Sequence, residues 1–309
     1  MFQKLPTFCG LPHGLPGPRT RAAVLGVPYD CGIHPFRVGS REAPAAVRKA
    51  SRQLRAFHVS QGDFNVLDRL GAVDCGDIDL LPGRPIQAFP AIEAAAGAVL
   101  DAGAVPVAIC GDGSGSLPLM RAAGKRHPGM VALHIDSHTD AYALPEADPL
   151  DPSTQFTHAA TEGVIDVGRS WHVGIRGFTS VPGIIARARA MGFGVVTTED
   201  LLRRGFAQTM AEFRDNVGAR PVYLCWDMDI FDPSVAPGVC TPTWGGLSAR
   251  EGIELIRACS GLNIVAIDFN TVSPPQDIGE QAAFLCAHMV MEAMLLLCRQ
   301  FGLAEDAVR

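Results

Sequence analysis

Eight strand-like runs, most of them apolar, alternate strictly with eight helical patterns along this chain, and few folds accommodate that order. The strand candidates cover residues 22–27, 73–75, 105–110, 130–135, 171–174, 194–197, 221–226 and 263–268. The helical candidates cover 43–57, 85–102, 116–126, 155–163, 181–191, 207–217, 249–260 and 279–301. Strands that are apolar throughout belong to sheets buried on both faces, and parallel neighbours need a crossover long enough to hold a helix. The order therefore predicts an α/β fold with a parallel sheet covered by helices on two sides. Periodicity alone leaves open a closed barrel or an open doubly wound sheet. A Pro/Gly-rich, irregular arm occupies residues 1–20, and no low-complexity linker or repeat interrupts the rest of the chain, so the 309 residues are expected to form one domain.

Two strand candidates run directly into acidic clusters, Asp136-Ser-His-Thr-Asp140 and Asp227-Met-Asp229. In extended backbone every second side chain shares a face, so Asp136, His138 and Asp140 can converge, as can Asp227 and Asp229. Taken singly, each aspartate is equally well explained as the cap of a turn or helix. Taken together, the five donors read as a two-metal centre. Four carboxylates and one imidazole suit Mn(II), Ni(II) or a similar cation, whereas structural zinc prefers thiolates. The placement agrees, because open α/β sheets collect ligands outside the carboxyl ends of their strands.

A formal charge of −6 and a pI near 5.8, with Lys and Arg scattered, disfavour nucleic acid as a partner. Nine cysteines form no C-x-x-C pair, which points to a reducing, cytoplasmic environment. The amino terminus has no long apolar stretch. The most apolar segment, 281–298, is interrupted by His288 and Glu292 and reads as a buried or intersubunit helix, so no membrane partner is expected.

The two acidic clusters sit within longer motifs: Asp227-Met-Asp-Ile-Phe-Asp232-Pro-Ser-Val-Ala-Pro-Gly238, Thr241-Pro242, Gly245-Gly246-Leu247 and Val272-Ser-Pro-Pro275. With Pro28-Tyr-Asp30, Gly39-Ser-Arg41 and Ala43-Pro44, they make most of the chain resemble the ureohydrolase family of arginases, agmatinases and related amidinohydrolases. The resemblance implies a three-layer αβα sandwich with an eight-stranded, mostly parallel sheet, a bridged pair of divalent ions, and assembly as a trimer or hexamer. It also implies that Asp136 and Asp227 bridge the metals, that Asp140 and Asp229 bind one each, and that His138 binds one. Paired cations lower the pKa of a shared water, and Asp140 would pass a proton to the departing amine.

Three departures from the family pattern stand out. A Gly-Gly-Asp-His-Ser segment appears as Cys110-Gly-Asp-Gly-Ser114, so the resemblance puts Gly113 where a metal-binding histidine is expected and implies one weak or empty metal site. Water or Ser114 would then complete it. A second expected histidine aligns with Pro152, with His158 nearby but out of register, and an expected acid aligns with Thr271, whose hydroxyl cannot pair with a cation. His34 lies in a segment like a substrate-proximal loop, although a surface role fits it as well, and Trp244 can place its ring near substrate or pack beneath a loop. His34, Ser114, His158, Trp244 and Thr271 are thus the candidate substrate contacts. The loop 142–154 is long for this connection and is expected to shape the entrance. His134 reads as a core residue or a support for the site, and His13, His58, His127, His172 and His288 as structural or exposed.

Two functions fit these residues. The first is a metal-dependent hydrolase that cleaves a guanidino or amidino compound to urea, or a substituted urea, and an amine. The second is a catalytically impaired subunit that assembles with an active paralogue, as the resemblance to heteromeric metformin hydrolases implies. A metal-dependent deacetylase fits less well, because such sites use adjacent histidines and this chain has no His-His pair.

Overall fold

The structure, a computed structural model, describes residues 6–32, 36–81, 84–145 and 150–304. Eight strands form an open sheet: β1 (Ala22–Val27), β4 (Val73–Asp77), β5 (Val105–Cys110), β6 (Val131–Ile135), β7 (Trp171–Ile175), β8 (Gly194–Thr197), β9 (Pro221–Asp227) and β10 (Asn263–Asn270). A separate two-stranded ribbon pairs β2 (Phe57–His58) with β3 (Gly62–Asn65). The large sheet runs β4-β1-β5-β10-β9-β6-β7-β8, and all its neighbours pair in parallel. An open order with β4 and β8 at its edges settles sandwich over barrel.

Alternation along the strands divides the core in two. Val107, Ile109, Leu133, Ile135, Leu224, Trp226, Ile267 and Phe269 pack to one side. There they meet α1 (Ala43–Ser51), α2 (Val66–Arg69), α7 (Thr198–Arg204), α8 (Phe206–Val217), α9 (Ala249–Ala258) and α10 (Gln281–Gln300). The other side is lined by smaller groups, including Ala108, Cys110, Ala132, Cys225 and Ala266. It carries α3 (Pro85–Asp101), α4 (Ser116–Arg126), α5 (Gln155–Thr161) and α6 (Ile184–Met191). The small residues let these helices approach the sheet closely. α10 is long and apolar enough to cross a membrane by composition, yet 72% of that window is buried against the sheet and its neighbours, as a core helix would be.

The sequence expectation fails mainly between strands. The helix expected over 43–57 stops at Ser51, and a turn leads into the β2–β3 ribbon. The helix expected from residue 181 starts at Ile184, because Pro182 and a left-handed Gly183 (φ 76°) delay it. α2 and α7 are additions to the expected set; Asn65 and Thr197 cap them by accepting backbone N–H bonds. The arm is also not wholly irregular, since Phe8–Gly10 forms a single 3₁₀ turn with Phe8 fully buried.

Candidate metal centre

The strand order places the sequence-distant clusters side by side. β9 and β10 insert between β5 and β6, so the carboxyl ends of four adjacent strands open into one crevice. Asp227 ends β9, Asp136 follows β6, Thr271 follows β10, and Asp112 and Gly113 follow β5. A cavity of about 220 Å³ lies there, lined by Asp112, Gly113, His138, Asp140, Asp227, Asp229 and Thr271, with Tyr142, Pro152 and Ser153 from the 142–154 loop. Closure is local: Tyr142 N donates to Ser153 O (3.1 Å), and Phe156 N donates to Asp140 O (3.0 Å).

Backbone geometry sets the carboxylates. Asp136 Oδ1 accepts from His138 N (2.6 Å) and Asp227 Oδ1 from Asp229 N (2.7 Å), so the turn-capping reading holds for these two. The same turns aim the side chains at one another. His138 Nδ1 lies 3.0 Å from Asp229 Oδ2 and 3.3 Å from Asp136 Oδ1. Ser137 holds Asp229 Oδ1 through its N–H (3.1 Å) and its hydroxyl (2.7 Å). Two donor groups, Asp136/His138/Asp229 and His134/Asp136/Asp140, each gather within 4.8 Å and share Asp136. His134 Nδ1 lies 2.9 Å from His172 Nδ1, and its Nε2 is 2.8 Å from Asp136 Oδ2 without hydrogen-bond geometry, so the ring stands against Asp136 with Nε2 and Oδ2 both unpartnered among the described residues.

Strain concentrates at this crevice. Asp140 (φ 45°) and Thr271 (φ 69°) have left-handed backbones, which is costly for a β-branched residue. Thr271 is held there from two sides: its N–H donates to Gly111 O (2.6 Å) and its carbonyl accepts from Cys240 N (2.9 Å). Its hydroxyl donates to Asp227 Oδ1. Gly111 is required, because a Cβ would lie 1.9 Å from the Tyr29 carbonyl oxygen.

Asp136, Asp140, Asp227 and Asp229 are all at most 8% exposed. Burial pushes the Asp140 carboxyl well up, reinforced by Asp136, and pushes Asp227 well up, reinforced by Asp229 and Asp136. Asp229 also rises, through burial and then Asp136. Burial would raise Asp136 too, but His134 and His138 together bring it well below its usual range. His138 is driven well up: burial opposes its charge, and Asp229 and Asp136 outweigh that. A buried cluster of four carboxylates and one imidazole is thus short of positive charge, and divalent cations among oxygen donors relieve that shortage.

All five expected ligands therefore meet in one crevice. Thr271 lines it as expected. Ser114 does not serve as expected: it is buried, and its N–H (3.1 Å) and hydroxyl are directed to Asp112 Oδ1. His158 is also corrected; it lies one turn into α5, with Nδ1 3.5 Å from Glu162 Oε1, outside the cavity wall. Trp244 is 75% exposed on the turn before Gly245, which places its ring in solvent. His34 lies outside the described residues. Sequence reasoning missed Gln155, which is 1% exposed and donates from Nε2 to Asp140 Oδ2 at 2.9 Å. The missing side chain at residue 113 signals a space to be filled, but nothing local names the residue that fills it.

Fold and site define a class, a doubly wound parallel sheet with a carboxylate-rich cation site at its strand tips. The Arginase family profile matches residues 20–296, and the chain belongs to that family of ureohydrolases. A guanidinopropionase of Pseudomonas aeruginosa is 36% identical over 311 residues, spanning 100% of this chain and 94% of that protein. A guanidinobutyrase of the same organism is 33% identical over 278 residues, 89% of this chain and 86% of that protein. The solved structure of the proclavaminate amidino hydrolase from Streptomyces clavuligerus superposes with a TM-score of 0.90 at 33% identity, covering 96% of this chain and 98% of that one.

Proposed function

We propose that this chain hydrolyses a C–N bond of a guanidino or amidino compound, releasing urea or a substituted urea and an amine, in the manner of an agmatinase or guanidinobutyrase. The carrying observation is the pair of donor groups that share Asp136 beneath a cavity of about 220 Å³. That volume lies below the usual range of drug-sized sites and suits a small substrate. Relatives named for guanidinopropionate and guanidinobutyrate chemistry support the substrate class.

In this reading Asp136, His138, Asp140 and Asp229, with Asp227 in the same cavity, would hold two divalent ions, Mn(II) or Ni(II) by the oxygen-rich donor set. Bound there, the cations would supply Lewis acidity and an activated water. His134, fixed by His172, stands against Asp136. Asp140, fixed by Gln155 at Oδ2, moves the proton to the departing amine. Tyr142, Pro152 and Ser153 line the cavity beside these groups. Nine cysteines with no C-x-x-C pair, six of them buried, support a reducing cytoplasmic setting.

A second reading, an impaired subunit working with an active paralogue, is favoured by one feature. The wall at Gly113, Pro152 and Thr271 offers no ionisable group, and the Thr271 hydroxyl is turned to Asp227 instead of a substrate cation. The test is turnover by the full chain alone on arginine, agmatine, guanidinobutyrate, guanidinopropionate, guanidine and biguanides, loaded with Mn(II) or Ni(II) separately. Turnover on any member supports the hydrolase. Activity that emerges only with an added paralogue supports the subunit, and none under either condition contradicts both readings.

A further inference from the structure

Gln155 opens α5, and its carboxamide lies against Asp140 and Gly113, two residues that line the crevice. Its Nε2 donates to Asp140 Oδ2 at 2.9 Å, and its Oε1, fully buried, has no hydrogen-bond partner among the described residues. The orientation of the amide is fixed by its neighbour, since reversing it would set a carbonyl oxygen against a carboxylate oxygen. A buried carbonyl oxygen without a partner is costly, and such an atom at a charged site calls for an electropositive ligand.

Its position is informative. A Cβ built on Gly113 would lie 2.9 Å from Gln155 Nε2 and 3.0 Å from Oε1, so the carboxamide occupies the space that a side chain at residue 113 would need. Gly113 and Asp140 line the same cavity. Ser114, whose hydroxyl donates to Asp112, is not part of that cavity's lining. A carboxamide oxygen is a neutral, hard donor of the kind that Mn(II) accepts beside carboxylates.

We propose that Gln155 supplies, through Oε1, a ligand to the divalent cation on the Asp140 side of the crevice, the role for which residue 113 has no side chain. This rests on the metal-dependent reading above and adds to it a ligand from α5. Because residues 113 and 155 share one space, a histidine at 113 and the native glutamine exclude each other, and the exchange works only as a pair.

Mn(II) binding to the full chain, measured by equilibrium dialysis with elemental analysis and by the paramagnetic signal of the ion, tests this without recourse to turnover. Wild type is expected to bind two ions per chain. Gln155→Met should keep the first and weaken the second by at least about 10–100-fold, the range reached even by changes to groups that only orient a ligand. Gln155→Glu should retain two ions, and Gly113→His should recover the second only in combination with Gln155→Ala. Folding of each variant is checked by its far-UV spectrum, and Gln155→Ala, with the same expected loss, serves if Gln155→Met does not fold. Two ions bound with unchanged affinity in Gln155→Met would overturn the assignment while leaving the metal-dependent reading standing. A wild-type chain that binds no Mn(II) would overturn both.

Discussion

Asp74, inside β4, and Asp227, at the tip of β9, are two buried aspartates that the chain treats in opposite ways. Asp74 accepts from Arg48 Nε (2.8 Å) and Nη2 (2.9 Å), from Phe8 N (2.8 Å) and from Gly76 N (2.9 Å). A guanidinium balances its charge and the fold uses it as an anchor for the N-terminal arm. Asp227 has a backbone N–H and the Thr271 hydroxyl, and its nearby charges, Asp229 and Asp136, repel it. Arg176 borders that cluster, yet donates to the backbone carbonyls of Asp229 (2.6 Å) and Thr243 (2.8 Å). Burial alone does not mark a functional carboxylate, since Asp268 is fully buried among Tyr223, Cys225 and Asn270; crowding by other carboxylates does.

The largest expected effect falls on the balanced region. Arg48→Met leaves Asp74 buried without its cation and should destabilise the protein by about 3–5 kcal/mol in chemical denaturation, with metal content unchanged. A loss of bound metal in that variant would break the distinction. The balanced class also includes Glu292 on α10, held by Arg257 Nη2 (2.5 Å) and Nε (2.8 Å), with His288 Nε2 at 3.5 Å and His58 Nε2 at 3.6 Å. Burial opposes its charge, but His288 and Arg257 draw its carboxyl down from 4.5 to about 2. Stability from this group is therefore complete above pH 4.5, amounts to about 3 kcal/mol, and is lost as pH falls through 2. Denaturation between about pH 6 and pH 2 checks it, and Glu292→Gln should flatten that part of the profile.

The unbalanced region should respond with the opposite sign. Asp227→Asn removes a charge that burial and two neighbours resist, so the metal-free protein should melt higher. The same change should weaken metal binding by about 100-fold. A lower melting temperature in the metal-free variant would contradict the charge argument. The smallest effect belongs to Trp244→Ala, which should stay within about 0.5 kcal/mol of wild type, because the ring lies in solvent. A tenfold fall in kcat/KM would return that ring to the substrate site.

Much of this is legible in the sequence for identifiable reasons. Strands such as β1 and β5 are apolar and buried along their whole length. The spacing of Asp136, His138 and Asp140 marks the site although no strand carries it: β6 ends at Ile135, the chain bends over 136–138 and Asp140 is left-handed, so turns bring the donors together. α2 and α7 escape because four and seven residues carry too little periodicity, and the caps at Asn65 and Thr197 mark starts without marking lengths. The positive φ at Thr271 and the contact between Gly113 and Gln155 cannot be read in advance. Both depend on long-range neighbours, Gly111 for the first and the start of α5 for the second. Ser114 misleads for the opposite reason, since a local capping bond to Asp112 takes the hydroxyl first.

The most direct trial is crystallographic: the full chain grown with Mn(II), with anomalous scattering recorded at the manganese edge. Two peaks in the crevice, with Asp136 contacting both, is the predicted result. Peaks elsewhere with the crevice carboxylates free of metal, or no peak at saturating Mn(II) and Ni(II), would contradict it.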